Sequence, residues 1–168
     1  MAFRKIDPRE VTDNFIRLIG TDWMLLSAGE KDCCNTMTAS WGMAGVLWSR
    51  PVTEVFVRPQ RHTYGFMEKY GLYTCSFFDS SMRPALAYCG SHSGRDGDKI
   101  AAAGLTPVFD EGTVYFEEAR LVLVCRRLYS QKIDRKCFCD DSIELEHYPE
   151  RDFHKAYVGE IVACLVKE

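Results

Sequence analysis

The sequence predicts a mainly β fold, an antiparallel β-barrel with inserted helices, and three observations carry that prediction. β-type runs dominate from residue 23 onward, separated by Gly, Asp, Asn and Pro, whose backbone preferences end strands and shape turns. The spacers between the early runs are too short to hold a crossover helix, so neighbouring strands should pair as antiparallel hairpins. Strand and helix do not alternate regularly, which argues against a doubly wound parallel sheet. At 168 residues and 46% hydrophobic content, the chain suits one domain spanning residues 1–168 with a proper core.

Taken in order, residues 13–19 read as a short amphipathic helix, opened by a polar cap and closed before Gly20. Strands follow at 23–28, 35–41, 45–48 and 53–58. Residues 63–69 have helical spacing, 73–78 form a strand, and 83–88 form another helix. A polar loop at 93–99 leads into a short helix that stops at Gly104, where a residue free to take positive φ ends the turn. Residues 114–116 and the long run 119–129 are strands, and 156–166 is the last. The alternation in that last strand is imperfect, as expected of a strand covered on both faces.

Composition removes several function classes. A net charge of −3 offers no uncancelled basic face for a nucleic-acid backbone. No segment approaches the roughly 18 apolar residues of a membrane span, and no apolar run follows the N-terminal positive charges. A soluble, cytoplasmic protein without nucleic-acid or membrane partners is therefore expected. Reduced thiols are expected for the eight cysteines, and the spacing of Cys137 and Cys139 is too tight for a zinc knuckle.

Three polar stretches are candidates for chemistry. In the strand at 35–41, Thr36, Thr38 and Ser40 share one face as a row of hydroxyls, while Asn35, Met37, Ala39 and Trp41 share the other. Arg58, Gln60, Arg61 and Thr63 gather where a strand gives way to a helix, with Pro59 stiffening the turn. Helix N-terminal amides attract anions and guanidiniums bind phosphate oxygens in pairs, so this junction suits a phosphate. Ser93, Gly94, Arg95, Asp96, Gly97, Asp98 and Lys99 form the third cluster, in which two glycines permit close backbone approach to a ligand. It lacks P-loop spacing, and no Gly-x-Gly-x-x-Gly follows a strand, so a nicotinamide-type Rossmann unit is not indicated. No nucleophile turn of the Gly-x-Ser-x-Gly kind occurs, so no catalytic residue is assigned, and no metal ligand either. His147 and His154, among Tyr148, Glu150 and Asp152, read as a loop of solvated polar residues.

Together with Gly104, Leu105, Thr106 and Pro107 and the terminal Tyr157, Val158, Gly159, Glu160 and Ile161, these stretches resemble the flavin reductase-like family of FMN-binding split barrels, which includes flavoredoxins and ferric reductases. The resemblance covers nearly the whole chain. It implies a six-stranded antiparallel split barrel, a homodimer, and one FMN per subunit near the dimer interface. Carried over by position, Asn35, Thr38, Ser40 and Trp41 would line the isoalloxazine and ribityl, with Thr36, Met37 and Ala39 on the same strand. Arg58, Arg61 and Thr63 would approach the phosphate beside Gln60, and Lys99 would reach the flavin from the loop carrying Ser93, Gly94 and Arg95. The implied activity is that of an oxidoreductase whose chemistry the cofactor supplies. NADH or NADPH is the implied donor for a reductase. A flavoredoxin-type electron-transfer protein served by a small-molecule or protein partner is the alternative.

Overall fold

The computed structural model describes residues 2–168. In chain order it contains β1 (Phe3–Ile6), α1 (Phe15–Arg17), β2 (Met24–Glu30), β3 (Cys33–Ala39), β4 (Gly42–Leu47), β5 (Arg50–Val57), α2 (His62–Lys69) and β6 (Leu72–Phe77). These are followed by α3 (Arg83–Ser91), α4 (Lys99–Ala102), β7 (Pro107–Val108), β8 (Tyr115–Phe116), β9 (Leu121–Lys132), α5 (Asp141–His147) and β10 (Lys155–Lys167). Eight strands form one antiparallel sheet along the path β3-β2-β6-β9-β10-β5-β4, with β1 paired to the far end of β10. The sheet curls into the expected antiparallel split barrel and holds two strands more than the six expected.

Both faces of the central strands are covered, which explains their continuous apolar sequence. On β9, Leu121, Leu123 and Cys125 enter the barrel interior with Leu26, Val55, Val57, Tyr73 and Tyr157. Val122 and Val124 point the other way, into a second cluster with Leu86 and Cys89 of α3 and Phe116 of β8. The helix expected at 13–19 is a single α turn capped by Asn14, whose side chain accepts from the Ile16 and Arg17 amides; it continues as a π-type turn over Leu18–Asp22. All eight cysteines are free, and four are buried.

Gly159 shows how closely the interior is filled. A Cβ there would stand 2.7 Å from Cε1 and Cζ of Tyr73 and would land on its hydroxyl. That hydroxyl shares a 2.8 Å hydrogen bond with Thr53 Oγ1, so the ring is pinned across the barrel from β6 to β5 over a residue that must lack a side chain. No helix is long and apolar enough to cross a membrane among the described residues.

Candidate functional site

The barrel is split where β3 faces the end of β5. β3 pairs only with β2, and an antiparallel strand paired on one side leaves alternate backbone N–H and C=O groups free along the other. On β5, the ladder to β4 stops at the pairing of Gly42 with Val55, so the chain from Phe56 onward has no partner on that side. A cleft opens there, lined by Met37, Thr38, Ala39, Ser40, Trp41, Phe56, Arg58, Arg61 and His154. A second polar hollow lies further along β3, walled by Asn35, Gly94, Asp98 and Lys99.

Gly94 is what lets the polar loop lie against β3. A Cβ at that position would collide with Asn35 Oδ1 and come within 3.2 Å of the His62 ring. Asn35 is itself fixed, donating to Thr63 Oγ1 at 2.8 Å at the start of α2. Strand, loop and helix are thereby locked together at one point. Asp98 caps α4 by accepting from the Ala101 amide, which orients Lys99 inward.

The electrostatics at this point are one-sided. Arg61 donates to Gly90 O at 3.0 Å, and the buried Lys99 ammonium donates to Cys89 O at 3.3 Å and His92 O at 3.1 Å, so both cations sit on the last carbonyls of α3. Neither forms an ion pair among the described residues. Burial lowers the Arg61 pKa, and it brings Lys99 down to about 8, partly countered by Cys89 and reinforced by Arg61. His62 is also pushed below its ordinary value, by burial and then by Arg95 and Lys99. No side chain caps α2, so its first amides add further positive potential. Two cations held together in partial burial, neither ion-paired to a carboxylate among the described residues, fit a group that brings two negative charges. A phosphate monoester does so.

Six of the expected cofactor residues spend polar groups on other parts of the chain. Thr36 is fully buried under α3, with Ser27 donating to its Oγ1 at 2.8 Å, so it leaves the hydroxyl row. Thr38 lines the cleft but spends its hydroxyl on Leu86 O. Arg58 is ion-paired with Asp152 and also donates to His147 O, and Gln60 donates to the same Asp152 carboxylate. Arg58 therefore arrives with its charge already compensated, and Gln60 supports Asp152. Ser93 Oγ accepts from the Arg95 amide and shapes the loop, while the Arg95 side chain reaches Gln60 O.

The stretch read as a solvated loop is the main correction. Tyr148, Phe153 and His154 are buried, and His154 forms part of the cleft wall with its ring 5.0 Å from that of Trp41. His154 Nδ1 and the Tyr148 hydroxyl share a hydrogen bond of 2.9 Å. Burial, with Arg58 adding to it and Asp152 opposing, pulls the His154 pKa down to about 4, so the ring is neutral at neutral pH. The signal available in the sequence was the aromatic content of the segment, since Phe138, Tyr148 and Phe153 pack together.

The profile of the flavin reductase like domain matches residues 16–168. Among solved structures, a flavoredoxin from Methanosarcina acetivorans superposes with a TM-score of 0.67 at 24% identity, covering 88% of this chain and 69% of the other. The flavoredoxin of Desulfovibrio vulgaris (Miyazaki F) gives 0.68 at 23% identity, with coverages of 98% and 78%. An FMN-binding domain of a flavin reductases-like enzyme from Shewanella baltica OS155 gives 0.69 at 15% identity, with coverages of 98% and 77%. A search of curated proteins by sequence finds no match. At these identities the superpositions speak for the fold.

Proposed function

The chain belongs to the flavin reductase-like family, and from that premise we propose that it is an FMN-binding oxidoreductase that takes electrons from NADH or NADPH. The observation that carries the reading is the pair Arg61 and Lys99, two part-buried cations beside a strand edge, with no acidic partner among the described residues. They would hold the phosphate, helped by the uncapped start of α2. The chain from Met37 to Trp41, the free edge of β3 and the two residues that follow it, would hold the ring through backbone groups. Trp41, Phe56 and the neutral His154 would wall it from water. When bound, FMN would supply two-electron and one-electron chemistry at its ring, while the protein sets its orientation and surroundings. His154, kept neutral and held by Tyr148 through Nδ1, would have its other ring nitrogen free for a hydrogen bond that adds no charge.

We also propose that the chain works as a homodimer through the tip of the β4–β5 hairpin, where the large apolar side chains of Val46, Leu47 and Trp48 are 41–78% exposed. Clustered exposed apolar side chains of this kind suit a protein–protein contact. Replacement of Val46 by Glu is expected to give a monomer in analytical ultracentrifugation.

The test of function is an anaerobic titration of FMN-loaded protein with NADH and with NADPH, followed at the flavin absorption band, then steady-state turnover with free FMN as acceptor. Bleaching with turnover supports the reductase. Reduction only by a partner electron carrier would make the protein a flavoredoxin-type electron-transfer flavoprotein, and failure to take up FMN at all would sink both.

A further inference from the structure

A further cavity, of about 280 Å³, lies on the outer face of the sheet, separated from the cleft by Phe56, which lines both. Register explains why it exists. Phe56, Ala156 and Gln131 stand side by side on β5, β10 and β9, and in the next row Glu54, Val158 and Tyr129 do the same. Ala156 leaves a hollow between two longer neighbours, and the chain after β9 passes over it, bringing Phe138 and Cys137 to the wall.

The polar groups around this hollow are unspent. Gln131 Oε1 accepts the Tyr129 hydroxyl, which leaves its amide nitrogen to donate. The Glu54 carboxylate, on the cavity face of β5, has no side-chain hydrogen bond or ion pair among the described residues. A donor thus stands on the β9 side and an acceptor on the β5 side, two strand spacings or about 10 Å apart, across an apolar floor.

We infer that this cavity is a ligand site, distinct from the flavin cleft, for a flat compound of one or two rings that carries a carbonyl oxygen at one end and a hydroxyl at the other. The volume sits at the lower limit of small-molecule pockets, roughly 300 Å³, which excludes a whole dinucleotide. The carbonyl would accept from the Gln131 amide, the hydroxyl would donate to Glu54, and Ala156 would leave room for the ring between Phe56 and Phe138.

The probe is 7-hydroxycoumarin, titrated calorimetrically into the chain with and without saturating FMN. Binding at one site per chain is expected in both cases, and Ala156→Leu, which fills the hollow, should weaken it at least tenfold while FMN affinity stays within twofold. In the unaltered protein, saturating probe should slow iodoacetamide alkylation of Cys137 severalfold and leave Cys139 unaffected; both thiols are exposed but only Cys137 lines the cavity. Absence of saturable binding, competitive displacement by FMN, binding that Ala156→Leu leaves unchanged, or equal effects on the two thiols would each overturn the assignment. Because the titration is also run on flavin-free chain, a protein that binds the probe but not FMN would keep this site and refute the flavin reading.

Discussion

The two sides of the barrel are built on opposite principles. On the closed side, β6, β9 and β10 are paired along their length and Tyr73 crosses the interior to Thr53, seated on Gly159. On the split side, β3 and the end of β5 lack ladder partners toward each other, and the groups gathered there are Arg61, Lys99 and a buried neutral histidine. The closed side ties its strands together through full ladders and the Tyr73–Thr53 bond and should govern stability. The split side holds two cations, Arg61 and Lys99, that lack ion-pair partners among the described residues, with backbone groups unspent, and should govern affinity. A substitution ought therefore to affect one property and spare the other, except where the backbone itself cannot adjust.

The largest effect is expected from Gly159→Ala. Its new methyl group would overlap a pinned ring, and overpacking of this severity costs about 3 kcal/mol. Urea unfolding should show a large drop in midpoint; a drop below a quarter of that cost would mean the closed side is softer than its geometry indicates. Next comes Arg61→Ala. Losing a charged hydrogen-bond partner should cost about 1.5–3 kcal/mol of FMN affinity, roughly ten- to a hundredfold, while riboflavin, which lacks the phosphate, is bound nearly as before. Equal losses for the two flavins would remove Arg61 from the phosphate role. The unfolding midpoint should scarcely move.

Third is a pH effect. Lys99 loses its proton at about 8 in the free chain, whereas a bound dianion favours the ammonium form. Binding then takes up a proton above that pH, and FMN affinity should fall as pH rises, by up to about tenfold per unit. Lys99→Met should bind FMN more weakly with a flat profile; an unchanged slope would place the titrating group elsewhere. The smallest effect belongs to Tyr73→Phe. It keeps the ring on Gly159 and removes only the bond to Thr53, so a stability loss of about 1 kcal/mol with unaltered FMN affinity is expected. A change in FMN affinity here would show that the two sides are coupled.

Legibility in the sequence divides along a similar line. The long strands could be read because their pattern is local: β9 alternates between two buried clusters, and the sequence shows it as an unbroken apolar run. The face assignment along β3 could be read from period two alone. β1 could not, since its four residues become a strand only by pairing with the far end of β10, Phe3 lying opposite Lys167. The same limit applied to the site. Arg58 and Arg61 look equivalent in sequence, and what separates them is Asp152, 94 residues away from Arg58. His154 looked solvated because the residues around it are polar, and its burial comes from Tyr148 and Trp41, neither of which it neighbours in the chain.

The segment 133–154, between β9 and β10, carries the Cys137 and Phe138 wall, α5, Asp152 and His154. It leaves and rejoins the barrel at nearly the same place, because Lys132 and Lys155 are paired and Ile133 donates to His154 O at 2.9 Å. Its ends are thus closed by the barrel regardless of what lies between them, and loop-closure entropy changes only slowly with length. The segment is consequently an interchangeable part: chains with the same barrel can lengthen, shorten or reshape it at little cost to folding. Variation in what such barrels recognise can accumulate there while the strands beneath stay fixed.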